Sequence, residues 1–195
     1  MILFLGVIIF SMITIAVVVD VFIAENYGLS TTYVILSVVF CTIFEIILDS
    51  FLALAVRRLL PDKWFSADKT FYTAKKRECL IYEFFKIKKW KDKVPDLGAL
   101  SGFRKNKIAN PNDLKYVERY ILEANFGVVV HLACMFLGGL VVFIFPLKIC
   151  WFIGLPVAIV NFVLNFLTFA VLRYNLKKLH VLRKFNLKKA KNFKV

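Results

Sequence analysis

Residues 125–172 read NFGVVVHLACMFLGGLVVFIFPLKICWFIGLPVAIVNFVLNFLTFAVL, and Lys148 is the only Lys, Arg, Asp or Glu among them. Each half of this stretch is long enough to cross a hydrocarbon core, which takes about 20 residues of helix. Backbone groups in lipid must be paired within the segment, and the stretch lacks the strict alternation of a barrel strand. It therefore predicts two transmembrane helices, at about Asn125–Leu147 and Ile149–Leu172.

The N-terminal part of the chain contains two more apolar blocks of similar length. The first runs from Met1 to about Ala24 and is interrupted only by Asp20, and the second from about Thr32 to Val56. Because the first block has no basic segment before it and no convincing cleavage site after it, we interpret it as a retained helix rather than a signal peptide. The fold class predicted is an all-α membrane protein with four transmembrane helices.

The positive charges indicate how the chain is oriented in the membrane. Of the 27 Lys and Arg residues, 17 lie in the segment 57–124 and nine in the tail 173–195, while the segment 25–31 has none. Loops rich in Lys and Arg stay in the cytoplasm. We therefore expect a multi-pass protein of the cell membrane whose loop, tail and both termini are cytoplasmic. Spans occupy 1–56 and 125–172.

The same charges bear on the partners expected for this chain. Basic segments next to spans attract anionic lipid headgroups. Although a basic patch can also bind nucleic acid, no nucleic-acid motif is present. Membrane lipids and a lipid-linked substrate are therefore the expected partners, and nucleic acid is not. The sequence does not indicate an oligomeric state.

The loop 57–124 is predicted to be a folded, partly helical cap on the cytoplasmic face. Apolar side chains recur at helical spacing and share one face, with lysines beside them: Leu80, Phe84, Ile87 and Trp90. This pattern is typical of an amphipathic helix in the headgroup plane. Turn residues follow at 95–102. Asn110 before Pro111 then predicts a helix N-cap and first turn, and the resulting helix is expected to run straight into the third span.

Polar residues inside the spans are the main functional signal. Two sets recur at helical spacing: Ser37, Cys41, Glu45 and Asp49 in span two, and Asn161, Asn165 and Thr168 in span four. A third set, Glu123, Gly127 and His131, could line one side of a groove. Ionisable residues in a span are costly and mark functional sites by default. Each also has a simpler interpretation: Asp49 can reach the interface, the amides can hold helices together, and His131 can be a packing residue.

Several kinds of active site are excluded or left open by the residues present. There is no H-x-x-x-x-D, G-x-S-x-G, H-E-x-x-H or Walker sequence. Two histidines and four scattered cysteines predict no metal site and no disulfide framework. Glu123 and His131 are candidates for an acid–base pair. Lys89, Lys91, Arg119 and Arg173 could bind an anionic donor.

A series of short motifs between Arg58 and Leu182 resembles one known family. The motifs are RLLPDKWF at 58–65, IKKWKDK at 87–93, PD at 95–96, GF at 102–103, ERYILE at 118–123, His131, Asn161 and RYN at 173–175. Their order is similar to that of the glycosyl-4,4'-diaponeurosporenoate acyltransferases, small membrane proteins assigned the last step of staphyloxanthin synthesis.

The resemblance implies transfer of a fatty acyl group to a sugar hydroxyl of a glycosylated isoprenoid. It implies that Glu123 and His131 activate the hydroxyl. On the same analogy, residues that would position the donor headgroup or the sugar are Lys89, Trp90, Lys91, Arg173 and Asn175. Together with Arg119 and Asn161 they make up the predicted substrate-binding residues. We expect an acyl thioester such as acyl-coenzyme A as co-substrate, and no metal or other cofactor.

Two alternatives to an acyltransferase remain open at this point. The chain could be a non-catalytic lipid-binding or scaffold subunit whose basic cap recruits lipids or a partner enzyme. It could also be a small transporter component, which Glu45 and Asp49 on one face of span two would suggest. The three differ in the residues on which function should depend.

Overall fold

Helices make up most of the computed structural model, which describes residues 2–94, 108–144 and 147–192. In those ranges no strand occurs, and the α-helices of at least four residues are α1 (Ile2–Val19), α2 (Thr31–Leu59), α3 (Lys76–Phe84), α4 (Ile87–Trp90), α5 (Leu114–Leu137) and α6 (Leu147–Asn192). A π-helical turn, Asp20–Ala24, and the helical turn Glu25–Tyr27 extend α1, and a 3-10 segment, Gly138–Phe143, extends α5.

Four helical segments are long and apolar enough to cross a membrane, which confirms the predicted number. They are Phe4–Tyr27, Thr31–Leu59, Leu114–Phe143 and Trp151–Asn192. The last extends 20 residues beyond Leu172, where we expected the span to end. Because no Gly or Pro follows Pro156 in this part of the sequence, nothing stops the helix before Asn192.

The connection between α1 and α2 is a short turn closed by glycine. Gly28 has φ +64°, a conformation that suits a residue without Cβ. The Leu29 amide donates to the Ala24 carbonyl at 2.9 Å, and the Gly28 amide donates to the Glu25 carbonyl at 3.2 Å. Ser30 then caps α2, since its hydroxyl accepts the Tyr33 amide at 3.2 Å. The chain therefore turns back within three residues.

The single amphipathic helix predicted across residues 80–90 is wrong. The chain breaks at Lys86, which adopts a left-handed conformation at φ +51° between α3 and α4. Ile87 is buried, whereas Leu80 and Phe84 are 66% and 80% exposed, so the predicted apolar face does not exist as one surface. The Trp90 indole N–H donates to the Phe85 carbonyl at 2.9 Å and closes the break.

The N-cap predicted at Asn110 is also wrong, because the helix begins three residues later. Asp113 caps α5: its carboxylate accepts the Lys115 amide at 2.9 Å and the Tyr116 amide at 3.3 Å. The continuation of this helix into the third span is confirmed. The turn-rich segment expected at 95–102 lies outside the described residues.

The described chain divides into two compact units, each with its own internal packing. The first comprises Met1–Leu54 and Val130–Phe166. Its buried apolar core is Val19, Ala24, Val34, Val38, Cys41, Val141, Val142, Ile153, Val157 and Ala158. Small residues allow close packing here, since a Cβ on Gly154 would lie 2.9 Å from the Val142 Cα and 3.1 Å from the Val141 carbonyl oxygen. The backbone of α6 therefore packs directly on the 3-10 segment.

The second unit comprises Ala55–Val129 and Leu167–Val195. Its buried residues form two clusters: Ala67, Val117, Tyr120, Ile121, Ala124, Val128, Leu176 and Leu179, and Ala74, Cys79, Tyr82, Ile87, Val94, Ala170, Val171 and Tyr174. The loop between spans two and three thus contributes its own buried residues to a packed structure with parts of α5 and α6.

Candidate active site

A network of polar side chains occupies the first unit, contributed by α2, α5 and α6. Asn165 lies at its centre: its Nδ2 donates to Asp49 Oδ2 at 2.9 Å and to Asn161 Oδ1 at 2.9 Å. Its Oδ1 lies 2.8 Å from His131 Nδ1. The four-residue spacing in α2 and α6 places these groups on facing helix surfaces. Members of two polar sets that the sequence left separate, Asp49 in span two and Asn161 and Asn165 in span four, therefore form one network with His131.

Asn161 joins two carboxylates of α2. Its Nδ2 donates to Glu45 Oε2 at 2.9 Å and lies 3.5 Å from Asp49 Oδ1. Glu45 is 4% exposed, and its second oxygen, Oε1, has no hydrogen-bond partner among the described residues. Gly138 makes room for these groups, because a Cβ there would lie 2.4 Å from Asn161 Nδ2. A side chain at that position would therefore displace the Asn161 amide or the Glu45 carboxylate.

The hydrogen bonds determine the tautomer of His131. Since Asn165 directs its amide nitrogen to Asp49, it presents its carbonyl oxygen to the imidazole. That oxygen accepts a hydrogen bond, so His131 Nδ1 carries the proton and Nε2 has the free lone pair. No described residue donates to or accepts from Nε2 in this structure. An imidazole held in this way is suited to take a proton from a hydroxyl group.

Glu123 has different surroundings from those of His131. Its carboxylate binds two guanidinium groups, that of Arg57 and that of Arg119, the latter at 2.7 Å. These residues belong to the second unit, whereas His131 belongs to the first. The expectation that Glu123 and His131 work as an acid–base pair stays a prediction, but the partners of each are now defined.

Arg173 is also engaged with protein groups. Its Nε and Nη2 bind the two oxygens of Glu78 at 2.5 and 2.7 Å, and it donates to the carbonyls of Phe71 and Thr73 at 3.3 Å. Tyr82 donates a further hydrogen bond to Glu78. Burial raises the pKa of Glu78, but hydrogen bonds from Arg173 and Tyr82 outweigh it and hold that pKa below its ordinary value. This arginine therefore ties α6 both to α3 and to the loop before it.

The other predicted binding residues lie in the second unit. Lys89 is exposed, and Trp90 and Asn175 are half-buried. The Nζ of Lys91 lies 3.9 Å from Oδ1 of Asp92. Asn161 alone of the predicted binding residues belongs to the network around His131. Among the described residues, no group of three or more His, Cys, Asp or Glu side chains is placed to hold a metal ion.

Comparison with known protein families bears on what this network does. The model of the glycosyl-4,4'-diaponeurosporenoate acyltransferase family, CrtO, matches residues 61–184. The chain belongs to this family. The resemblance seen in the motifs is thereby confirmed, and acyl transfer becomes the class of activity to consider first. No curated protein matches the chain, and no solved structure does.

The family match covers only part of the polar network. His131, Asn161 and Asn165 lie inside the matched residues, while Glu45 and Asp49 precede them. The carboxylates that bind the two asparagines therefore come from the N-terminal spans, outside the matched segment.

Proposed function

We propose that this protein is a cell-membrane acyltransferase that moves a fatty acyl group onto a hydroxyl of a lipid-linked sugar or similar amphipathic acceptor. Family membership supports the reaction class. The single observation that carries the mechanism is the hydrogen bond between His131 Nδ1 and Asn165 Oδ1, at 2.8 Å. It leaves the other imidazole nitrogen as a base in an apolar segment, and in this proposal the amphipathic alcohol approaches that nitrogen from the bilayer.

His131 acts as the general base in this proposal. Its Nε2 takes the proton of the acceptor hydroxyl while the hydroxyl oxygen attacks the acyl carbonyl carbon. With a thioester donor such as acyl-coenzyme A, the carbon–sulfur bond then breaks and the imidazolium returns the proton to the thiolate. The products are an ester and a free thiol, and the enzyme is unchanged.

Asn165 and Asp49 are positioning residues. Asn165 fixes the orientation and tautomer of His131, and Asp49 fixes Asn165 through its 2.9 Å hydrogen bond. The arrangement has the logic of a base oriented by a third group, as in catalytic triads. Asn161 holds Glu45 and Asp49 beside each other. The proposal thus uses His131 as the base. It does not require Glu123 as a base, because the Glu123 carboxylate is bound to two arginines.

The topology in this proposal follows the positive charges. The segment 57–124 and the tail 173–195 face the cytoplasm together with both termini. A donor made in the cytoplasm would approach from that side, and the acceptor would enter laterally from the lipid. Membrane lipids are accordingly the immediate surroundings of the protein and the source of its acceptor.

The test is mass spectrometry of total lipid extracts from cells that express wild type, His131→Ala or an empty vector. A new acylated lipid only with wild type supports the proposal. The same product with His131→Ala rules out this base. No new lipid in a host shown to contain glycosylated isoprenoids, with the protein present in the membrane, argues for the scaffold function.

A transporter component is the second candidate, and one observation favours it. Glu45 is buried in a span with an oxygen that no described group satisfies, and such carboxylates occur on ion pathways. Transport predicts that Glu45→Gln removes function while His131→Ala does not. Acyl transfer predicts the reverse dependence on these two residues.

A further inference from the structure

Two arginines of the second unit converge on one carboxylate. Arg57, near the end of α2, and Arg119, in α5, both bind Glu123. The Glu123 side chain is 10% exposed, whereas those of Arg57 and Arg119 are 42% and 53% exposed. The carboxylate is therefore enclosed, and the two guanidinium groups keep access to the surroundings.

The charges and donors of this cluster do not balance. Two guanidinium groups carry two positive charges against one negative charge, so the cluster has a net charge of about +1. A guanidinium has five N–H donors, and a carboxylate can satisfy only part of ten. N–H groups of both arginines remain for a further acceptor, beside the enclosed carboxylate.

The Arg57 guanidinium is also held in place by an aromatic face. Its Cζ lies 5.0 Å from the centre of the Phe126 ring, and Phe126 in turn stacks on Phe65 with ring centres 3.9 Å apart. A cation over an aromatic ring is attracted to it, and arginine suits such stacking. This group is therefore oriented before any ligand binds, which lowers the entropy cost of binding.

We infer that Arg57 and Arg119, organised by Glu123, form an anion site for a phosphate group. Planar guanidinium forks match phosphate oxygens in two-point hydrogen bonds. The chemistry is common to two sources, a phosphorylated water-soluble carrier such as coenzyme A and the headgroup of an anionic phospholipid. This site does not depend on the proposed base, since it uses neither His131 nor the residues that position it. Arg119 is also one of the residues that the sequence predicts to bind an anionic donor, so the coenzyme A arm of the experiment tests that prediction as well.

The experiment uses full-length protein in nanodiscs. Coenzyme A is titrated by calorimetry into discs of phosphatidylcholine alone, and copurifying phosphatidylglycerol is counted by native mass spectrometry from mixed discs. The variants are Arg57→Gln and Arg119→Gln. The matched control is Arg58→Gln. Arg58 is the next residue after Arg57 and is exposed, so this variant removes the same charge from a neighbouring position.

Both arginine variants are expected to weaken binding of one probe by roughly tenfold or more, as loss of a hydrogen bond to a charged group does, while the control stays within about twofold. An effect on coenzyme A identifies the carrier phosphate, and an effect on phosphatidylglycerol identifies the headgroup. Equal results for Arg57→Gln, Arg119→Gln and Arg58→Gln overturn the inference and leave only an ion pair between helices. If a glutamine variant fails to fold, Arg57→Lys and Arg119→Lys, which keep the charge but lose the fork, replace it under the same criteria.

Discussion

Replacing Asn165 with alanine should separate the proposed catalytic role of the polar network from its structural role. The substitution removes four hydrogen bonds of the Asn165 side chain: those to the side chains of His131, Asp49 and Asn161, and one to the Asn161 carbonyl. Side-chain hydrogen bonds in membrane proteins average about 0.6 kcal/mol. Together they predict a loss of stability of about 2 kcal/mol, which leaves most of an ordinary protein folded.

The expected loss of activity is larger than this loss of stability. A positioned general base contributes about 10²- to 10⁴-fold to rate, which corresponds to roughly 3–5 kcal/mol of activation free energy. Without Asn165, His131 loses both its orientation and the group that selects its tautomer. We therefore predict a fall in acyl-transfer rate of at least about 100-fold per folded molecule.

Asn161→Ala provides the matched control, because Asn161 lies one turn away and hydrogen-bonds Glu45, Asp49 and Asn165 but not His131. Asn165 keeps its bonds to Asp49 and His131 in this variant. The assay measures unfolding of each purified variant and its acyl-transfer rate, normalised to folded protein. Asn161→Ala should lose comparable stability but less than about a tenth of the effect on rate. Equal rates for the two variants, or a wild-type rate for Asn165→Ala, would refute the role given to Asn165.

Three further predictions concern stability, each measured by equilibrium unfolding of the purified protein. Gly154→Ala places a methyl group 2.9 Å from the Val142 Cα and should lower the free energy of unfolding by about 1–3 kcal/mol. Gly139→Ala, where a Cβ would have no atom within 4 Å, should leave it nearly unchanged. Equal effects of the two substitutions would contradict the close packing at Gly154. Arg173→Gln breaks a largely buried ion pair with Glu78 and should cost about 3–5 kcal/mol, and a change under about 1 kcal/mol would indicate a surface pair. Because the pKa of Glu78 is lower in the folded protein, its contribution is present above its ordinary value of 4.5 and is lost as the pH falls through the lower folded pKa; Arg173→Gln should reduce this acid sensitivity, and an unchanged pH profile would count against it.

Hydropathy and charge predicted the four helices because a span requires a long apolar segment, whatever its partners. The same reasoning failed between residues 80 and 90, where the apolar residues have helical spacing but Lys86 adopts a left-handed conformation. Spacing shows which face a residue would occupy if the helix continued. It does not show whether the helix continues. Here the helix ends before Lys86, and Ile87 is buried at the start of the next helix.

The site was only partly predictable for a related reason. His131 and Glu123 share a helix face, so the sequence paired them. The hydrogen-bond partner of His131 is Asn165, 34 residues away, which is held by Asp49 from another helix. The pairing of His131 with Glu123 stays a prediction. The usable signal was the matching four-residue spacing of polar residues in spans two and four. Contacts between distant segments depend on helix packing, which a single sequence does not specify.

The most direct test of the central claim is a coupled assay on purified protein in lipid nanodiscs, with acyl-coenzyme A as donor and extracted glycosylated isoprenoids as acceptor. Free thiol and new ester are measured together in wild type and in His131→Ala. The account predicts thiol release that requires the acceptor and equals ester formation, and a rate at least about 100-fold lower in the variant. Equal rates in the two proteins, or no ester formed by wild type, would contradict it.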